Sequence, residues 1–280
     1  GGEGEMFVDL CLQSSADAGR QRELLLHARE LGYECVALTH FTSTDMPPCT
    51  IEVAEEWRRP ASMTLGPRPF RVLTRLDVEL LSDKASFSQM HNLKREANVA
   101  LHSYDLLSVR PCTEAQFRKL ATEVDVDIVS VDLGQRPFKM PIPIVKAALR
   151  RGVVFEVCYG ATLAAEQSSL QYWMSNVLNL ARITKGRGLV FSSGAAAPAG
   201  LRSPDDVANI AALLGVPLKE TPKCISTNCV SAIRHGETRR TTRGAVLVQD
   251  AVAAEAWQLP SSAPEVKDSG GQKGSGKKAK

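Results

Sequence analysis

The 280-residue chain has no Cys-x-x-Cys pair and no Cys/His set at zinc-finger spacing, which removes the common structural zinc modules. It has no run near the roughly 18 consecutive apolar residues that a membrane-spanning helix requires. The opening "GGEGEMFVDL" lacks the basic and apolar regions of a secretory signal; residues 1–5 are expected to be a disordered leader. Strong charge of one sign is missing too. The formal net charge is +3, and the Lys-rich end (Lys267, Lys273, Lys277, Lys278 and Lys280) accounts for it. The remainder is close to neutral, so a nucleic-acid contact must be a local patch. No internal repeat is visible. The seven cysteines, at 11, 35, 49, 112, 158, 224 and 229, are odd in number and scattered. That pattern favours a reducing compartment over a disulfide framework.

What is present is a regular alternation. Short β-branched runs at 6–12, 35–40, 70–81, 104–109, 126–133, 153–159 and 188–194 predict strands. Helical patterns at 17–31, 86–99, 113–123, 140–151, 166–185 and 203–214 lie between them. Strands alternating with helices argue for a parallel sheet, open or closed into a barrel. Within "SLQYWMSNVLNLARITKG", Leu170, Trp173, Met174, Val177, Leu178 and Ala181 predict one core-facing stripe. Residues 43–69 form a Pro-rich excursion with at most one short helix, near 51–58. Residues 258–280 are too polar to bury a core and are expected to be disordered. A single α/β domain over 6–257 is therefore expected.

The segment "STNCVSAIRHGETRRTTRG" (226–244) concentrates chemistry. Thr221 before Pro222 predicts a helix start, and Gly236 its stop. Ile225, Cys229, Ala232 and Ile233 share the apolar face, so Cys229 points to the core and away from His235, which is read as a capping residue at the helix end. Beyond Gly236, Arg239, Arg240 and Arg243 join Arg234 on expected extended backbone. Composition alone leaves two readings open: a phosphate-binding strip, or a charged turn whose arginines pair with acids elsewhere in the fold.

The same segment resembles the C-terminal block of the thirty-kilodalton protein subunit family of ribonuclease P and ribonuclease MRP. "MFVDLCL", "RPFRVLTRLDVEL" and "LVFSSGAAAPAGLRSPDDVANIAALLG" resemble further blocks of that family in the same order, covering about 6–245. The resemblance implies a TIM-like α/β barrel related to the polymerase-and-histidinol-phosphatase fold. It implies a non-catalytic subunit beside a catalytic RNA that removes the 5′ leader of precursor tRNA, with pre-rRNA processing as a further task. It also implies a smaller protein subunit as heterodimer partner, and a nuclear and nucleolar location. Magnesium is expected to belong to the RNA, with no cofactor held by the chain. RNA contact is expected at Arg234, Arg239, Arg240 and Arg243, and at Arg75 and Arg202 within the matching blocks.

Two rival classes remain: a metal phosphoesterase on the same barrel, and a protein scaffold without RNA contact. Metal sites of that barrel begin with His-x-His on the first strand; Asp9 and Cys11 stand there instead. His40, Asp77, Glu79, Asp132 and Glu156 fall on other strands, but no binuclear His-rich set can be assembled. His40 and Asp9 are expected to be inward polar residues, and no catalytic or metal-binding residue is assigned.

Overall fold

The computed structural model describes residues 6–43, 46–58, 70–81, 85–94, 99–131, 139–160, 167–243 and 246–247. The leader 1–5, Asp132, residues 59–69 of the excursion and the Lys-rich end lie outside the described residues. Seven strands, β1 (Val8–Gln13), β2 (Cys35–Thr42), β3 (Arg71–Glu79), β4 (Leu106–Arg110), β5 (Ile128–Ser130), β6 (Val154–Cys158) and β7 (Leu189–Ser192), form one sheet in chain order. Every adjacent pair is parallel. The sheet then curls until its edges meet. Gly194 donates its amide to Cys11 O at 2.8 Å, and Gln13 donates to Ala195 O at 2.8 Å. A nearly closed α/β barrel results, TIM-like in architecture.

Helices α1 (Ala18–Glu30), α2 (Glu55–Arg58), α3 (Ala85–Lys94), α4 (Val99–His102), α5 (Glu114–Thr122), α6 (Ile142–Arg150), α7 (Gln167–Thr184), α8 (Pro204–Leu213) and α9 (Thr227–Thr241) accompany the strands. Their starts follow local chemistry. Asp17 accepts the Gly19 and Arg20 amides at the head of α1. Thr113 and Gln116 cap α5 reciprocally. Ser203 caps α8, with Pro204 at its first position and Asp205 and Asp206 in its first turn. A two-residue pair, β8 (Thr242–Arg243) with β9 (Val246–Leu247), follows α9.

Two details differ from the sequence pattern. On α7, Trp173, Val177, Leu180 and Ala181 are buried, whereas Met174 and Leu178 are exposed. The helix packs on a barrel through a narrower stripe than the run of apolar letters suggests. The second difference concerns the last helix. Residues Pro222–Ile225 form a separate 3-10 turn, with the Thr221 hydroxyl donating to Leu218 O instead of capping. The α-helix proper runs from Thr227 to Thr241, straight through Gly236.

The core divides in two. Strand residues facing outward pack against the surrounding helices. Those facing inward at the strand starts, among them Val8, Cys35, Leu73, Leu106, Ile128, Val154 and Val190, form a separate cluster with Cys229, Ala232 and Ile233 of α9. Helix α9 therefore plugs the N-terminal end of the barrel. Two residues further along the strands the interior turns polar, with Arg75, Ser108, Ser130, Glu156 and Ser192 all buried.

Gly236 is what lets the plug seat. A Cβ at this position would lie 2.5 Å from Asp105 O and 3.2 Å from Asp127 Oδ2. The glycine is there for close approach to a strand start, and it does not end the helix. Gly236→Ala is expected to destabilise the fold by about 1–3 kcal/mol despite the better helix propensity of alanine. Urea denaturation of the two proteins checks this, and a neutral or stabilising substitution would show that α9 stands further from β4.

Candidate functional site

The barrel interior holds a cluster of buried charged and polar side chains. Arg75, at mid-strand in β3, is fully buried. Its Nη1 donates to Leu10 O at 2.7 Å and to Glu156 Oε1 at 2.5 Å. Its Nη2 donates to Glu156 Oε2 at 2.5 Å, Asp77 Oδ2 at 2.8 Å and Ser108 Oγ at 2.9 Å. Burial alone would raise the Glu156 pKa, but the facing guanidinium more than reverses this and holds it at about 2. The expectation that Arg75 contacts RNA is corrected: it is fully enclosed, and both of its terminal nitrogens are engaged inside the barrel.

Cys11, Glu156 and Cys158 bring potential ligand atoms within 4.8 Å of one another. They do not suit a metal ion. Both Glu156 oxygens are taken by Arg75, so an incoming cation would meet a fixed guanidinium. A hydrogen bond with Cys11, together with burial, pushes the Cys158 thiol well above its usual range, against the thiolate a metal requires.

Asp9 and His40 are corrected as well. Asp9 falls between Val8 and Leu10 in the strand alternation. Its carboxylate accepts the amides of Cys11 at 3.0 Å and Ser193 at 3.1 Å, at the seam between β1 and β7. Burial lifts it to about 6 against the pull of those donors. His40 follows Val36 and Leu38 on the outward register and meets the Tyr104 ring edge-on, with centroids 6.5 Å apart.

The second polar centre lies at the opposite end, under α9. Asp127, just before β5, is fully buried. It accepts the Leu107 amide at 2.7 Å, pairs with His235 Nδ1 at 2.7 Å, and accepts from Arg239 Nη2 at 2.9 Å and Nε at 3.1 Å. Asp105, just before β4, accepts the amide and hydroxyl of Thr74 at 2.8 and 3.0 Å and pairs with Arg240 at 2.9 Å. Glu237 reaches Arg71 at 3.5 Å. At the head of the helix, Asn228 donates to Gly186 O at 3.0 Å and Leu189 O at 2.8 Å. Gly152, with φ of +86°, leaves room for the His235 ring where a Cβ would lie 2.9 Å from it.

The conspicuous segment is thus a lock between α9 and the strand starts. Of the two readings its composition left open, the pairing one holds for Arg239. That side chain is 6% exposed and engaged with Asp127, so the expectation of an RNA contact there is corrected. Arg240 is partly exposed, at 28%. Arg234 is exposed on the far face of the helix. Arg202 is half-buried, its guanidinium donating to Ala199 O and Leu201 O at 2.9 and 2.7 Å. Arg243 belongs to β8, and its side chain lies outside the described residues. His235 stands mid-helix as a partner of Asp127 and does not cap. Sequence reasoning passed over Asp105, Asp127 and Asn228. The available signal was an acid placed immediately before each apolar strand.

A lock built from these residues is the sort of feature that relatives can share. The family model described as RNase P subunit p30 matches residues 6–241. The chain belongs to the RNase P subunit p30 family. Among curated relatives, the ribonuclease P protein subunit p30 of Mus musculus is 34% identical over 245 residues, which is 86% of this chain and 89% of the mouse protein. The Saccharomyces cerevisiae protein named ribonuclease P/MRP protein subunit RPP1 is 26% identical over 147 residues, covering 52% of this chain and 50% of the yeast protein. Among solved structures, a chain of the cryo-EM structure of archaeal ribonuclease P with mature tRNA superposes with a TM-score of 0.57 at 14% identity. That match covers 87% of this chain and 99% of the archaeal one. The p30 family match ends at the last residue of α9, so the barrel and its plug are matched together.

Two outcomes follow for the ionic centres. Arg75→Met leaves Glu156 buried without its cation and is expected to cost about 3–5 kcal/mol. Adding Glu156→Gln should recover part of that loss in urea denaturation, whereas additive losses would contradict the pairing. For His235, burial disfavours the imidazolium, but the bond to Asp127 outweighs it and raises the pKa above 6.5. Its stabilisation is therefore full below pH 6.5 and is lost as pH rises through the raised value. Thermal midpoints measured upward from pH 6.5 should fall more steeply for the wild type than for His235→Asn. Parallel profiles would remove His235 from the lock.

Proposed function

We propose that this chain serves as a protein subunit of the ribonuclease P ribonucleoprotein, and of ribonuclease MRP, supporting RNA-catalysed removal of the 5′ leader of precursor tRNA. The observation that carries this is the family membership, spanning the barrel and its plug. The name of the yeast relative supports the extension to MRP, and pre-rRNA processing is the further task proposed with it. The chemistry of the interior is in accord. A barrel whose central carboxylate is bound by an arginine is arranged for stability and holds no poised nucleophile or metal ligand set among the described residues. Magnesium in the assembly then belongs to the RNA, and the chain needs no cofactor of its own.

The partners in this reading are the catalytic RNA, precursor tRNA and other protein subunits, including a smaller one paired with this chain. Exposed apolar side chains support a protein neighbour: Leu213 is 83% and Leu218 79% exposed. Met174 and Leu178 are exposed on α7, and Leu178 lies against Gly215 in the turn after α8. Arg234, Arg202 and Arg243 remain as contacts for RNA phosphates. The nucleus is the expected compartment, with the nucleolus as its finer address.

Affinity purification of the full chain from its own cells, followed by sequencing of the bound RNA, tests the assignment. Ribonuclease P RNA is expected, together with a smaller protein in equal amount, and a preparation devoid of structured RNA would overturn it. Incubated alone with precursor tRNA and Mg²⁺ or Mn²⁺, the purified chain should show no cleavage. Metal-dependent turnover by the purified chain would establish the phosphoesterase reading instead.

A further inference from the structure

A cavity of about 420 Å³ lies beside the start of β3, roofed by the Pro-rich excursion and walled on one side by the end of α9. Its lining is unusual for a chain that is otherwise near neutral. Arg58 from α2, Arg71 from β3 and Arg240 from α9 converge on it, with Asp105 as the one acid in its wall. Its apolar lining comes from Ile51 and Val53 of the excursion and Val72 of β3. Thr74 and Ser103 add hydroxyls.

The arginines are held in place from several directions. The excursion is tied down where the Cys49 amide donates to Ser103 Oγ at 2.8 Å and where Gln21 donates to Glu52 O at 3.1 Å. Trp57 stacks edge-on against Phe70 at 6.3 Å and lies under the Arg22 guanidinium at 5.7 Å, which fixes the short helix that carries Arg58. Arg240 is oriented by Asp105 at 2.9 Å, yet its buried Nε has no hydrogen-bond acceptor. Arg71 is oriented by Glu237. Arg58 is exposed and makes no ion pair among the described residues. The result is a concave site with surplus positive charge, forked donors suited to phosphate oxygens, and an apolar wall of a size that suits a nucleoside.

We propose that this cavity binds the phosphate of a nucleotide. On the function proposed above, on which the choice of ligand rests, an RNA strand supplies that phosphate, with the adjoining ribose or base against Ile51, Val53 and Val72. The same chemistry would admit a free mononucleotide, so the test includes both. Arg240 keeps the role expected of it from the sequence, but as one wall of a cavity, in company with Arg58 and Arg71, and not as part of an extended basic strip.

The full-length chain is titrated with a fluorescent ten-nucleotide uridine strand and with uridine monophosphate, at several salt concentrations. The variants are Arg58→Gln, Arg58→Gln with Arg71→Gln, and Arg118→Gln on α5, half exposed and paired with Glu114, as a control outside the cavity. Arg58→Gln, whose side chain is exposed, is expected to fold normally and to weaken strand binding about fivefold. The double variant should weaken it more than tenfold and flatten the salt dependence by about one unit, since each lost phosphate contact on a single strand contributes roughly 0.7. Uridine monophosphate should compete with the strand in the wild type, and Arg118→Gln should leave that competition intact. If both cavity variants bind the strand as the wild type does, the cavity proposal is wrong, while RNA co-purification still decides the function independently. If uridine monophosphate binds in an Arg58-dependent way and no RNA binds or co-purifies, the cavity is a nucleotide-phosphate site and the ribonucleoprotein reading fails. If neither probe binds, the cavity proposal falls.

Discussion

One buried carboxylate organises the lower half of the molecule. Asp127 is removed from water and would be costly to ionise alone. An amide, an imidazole and a guanidinium converge on it from β4 and from two turns of α9. Those bonds fix the rotation and depth of the helix. With the helix fixed, Cys229, Ala232 and Ile233 close over the apolar strand starts, and the barrel interior becomes continuous with the plug. Gly236 is required at the same point because the helix backbone approaches strand β4 too closely for any side chain. Hydrophobic burial supplies the drive, and the charge network supplies the geometry.

The upper half repeats the principle with the signs arranged differently. There a buried cation, Arg75, gathers two carboxylates, a hydroxyl and a carbonyl around itself. A guanidinium at the centre of a barrel supplies fixed positive charge without the exchange, proton release or open coordination position of a metal ion. That suits a component whose task is to hold shape. Two of the arginines that stand out in the sequence, Arg75 and Arg239, are likewise turned inward and engaged in pairing within the fold.

How far the sequence could be read depended on the range of the interactions. The seven strands were legible because each is a short β-branched run with its own turn chemistry; the alternation of strands and helices implies a parallel sheet, and its closure into a barrel was implied by the family resemblance. Helix α7 was legible in extent but not in facing: Met174 and Leu178 are apolar letters on a helix whose buried arc is narrower than the pattern. Gly236 was misread because a glycine after a helical run usually ends it, and its true reason depends on the backbone of Asp105, distant in the chain. Arg239 was misread for the same cause, since its partner lies 112 residues away. Arg75 was a candidate for RNA contact because it lies in a block that resembles the family, and a resemblance does not say whether a strand residue looks inward or outward. Family resemblance located the important segments correctly while misplacing the role of individual residues in them.

The position of the plug has a consequence for how the chain is made. Val8 and Cys229, 221 residues apart, are in contact through the Cys229 thiol and the Val8 carbonyl. Strand β1 therefore emerges from the ribosome well before the segment that covers its inner face. At about 5–20 residues per second, the interval between them is on the order of ten to forty seconds. The apolar starts of the strands are sealed only when α9 docks, so closure of the barrel floor is a late event however early the strands pair.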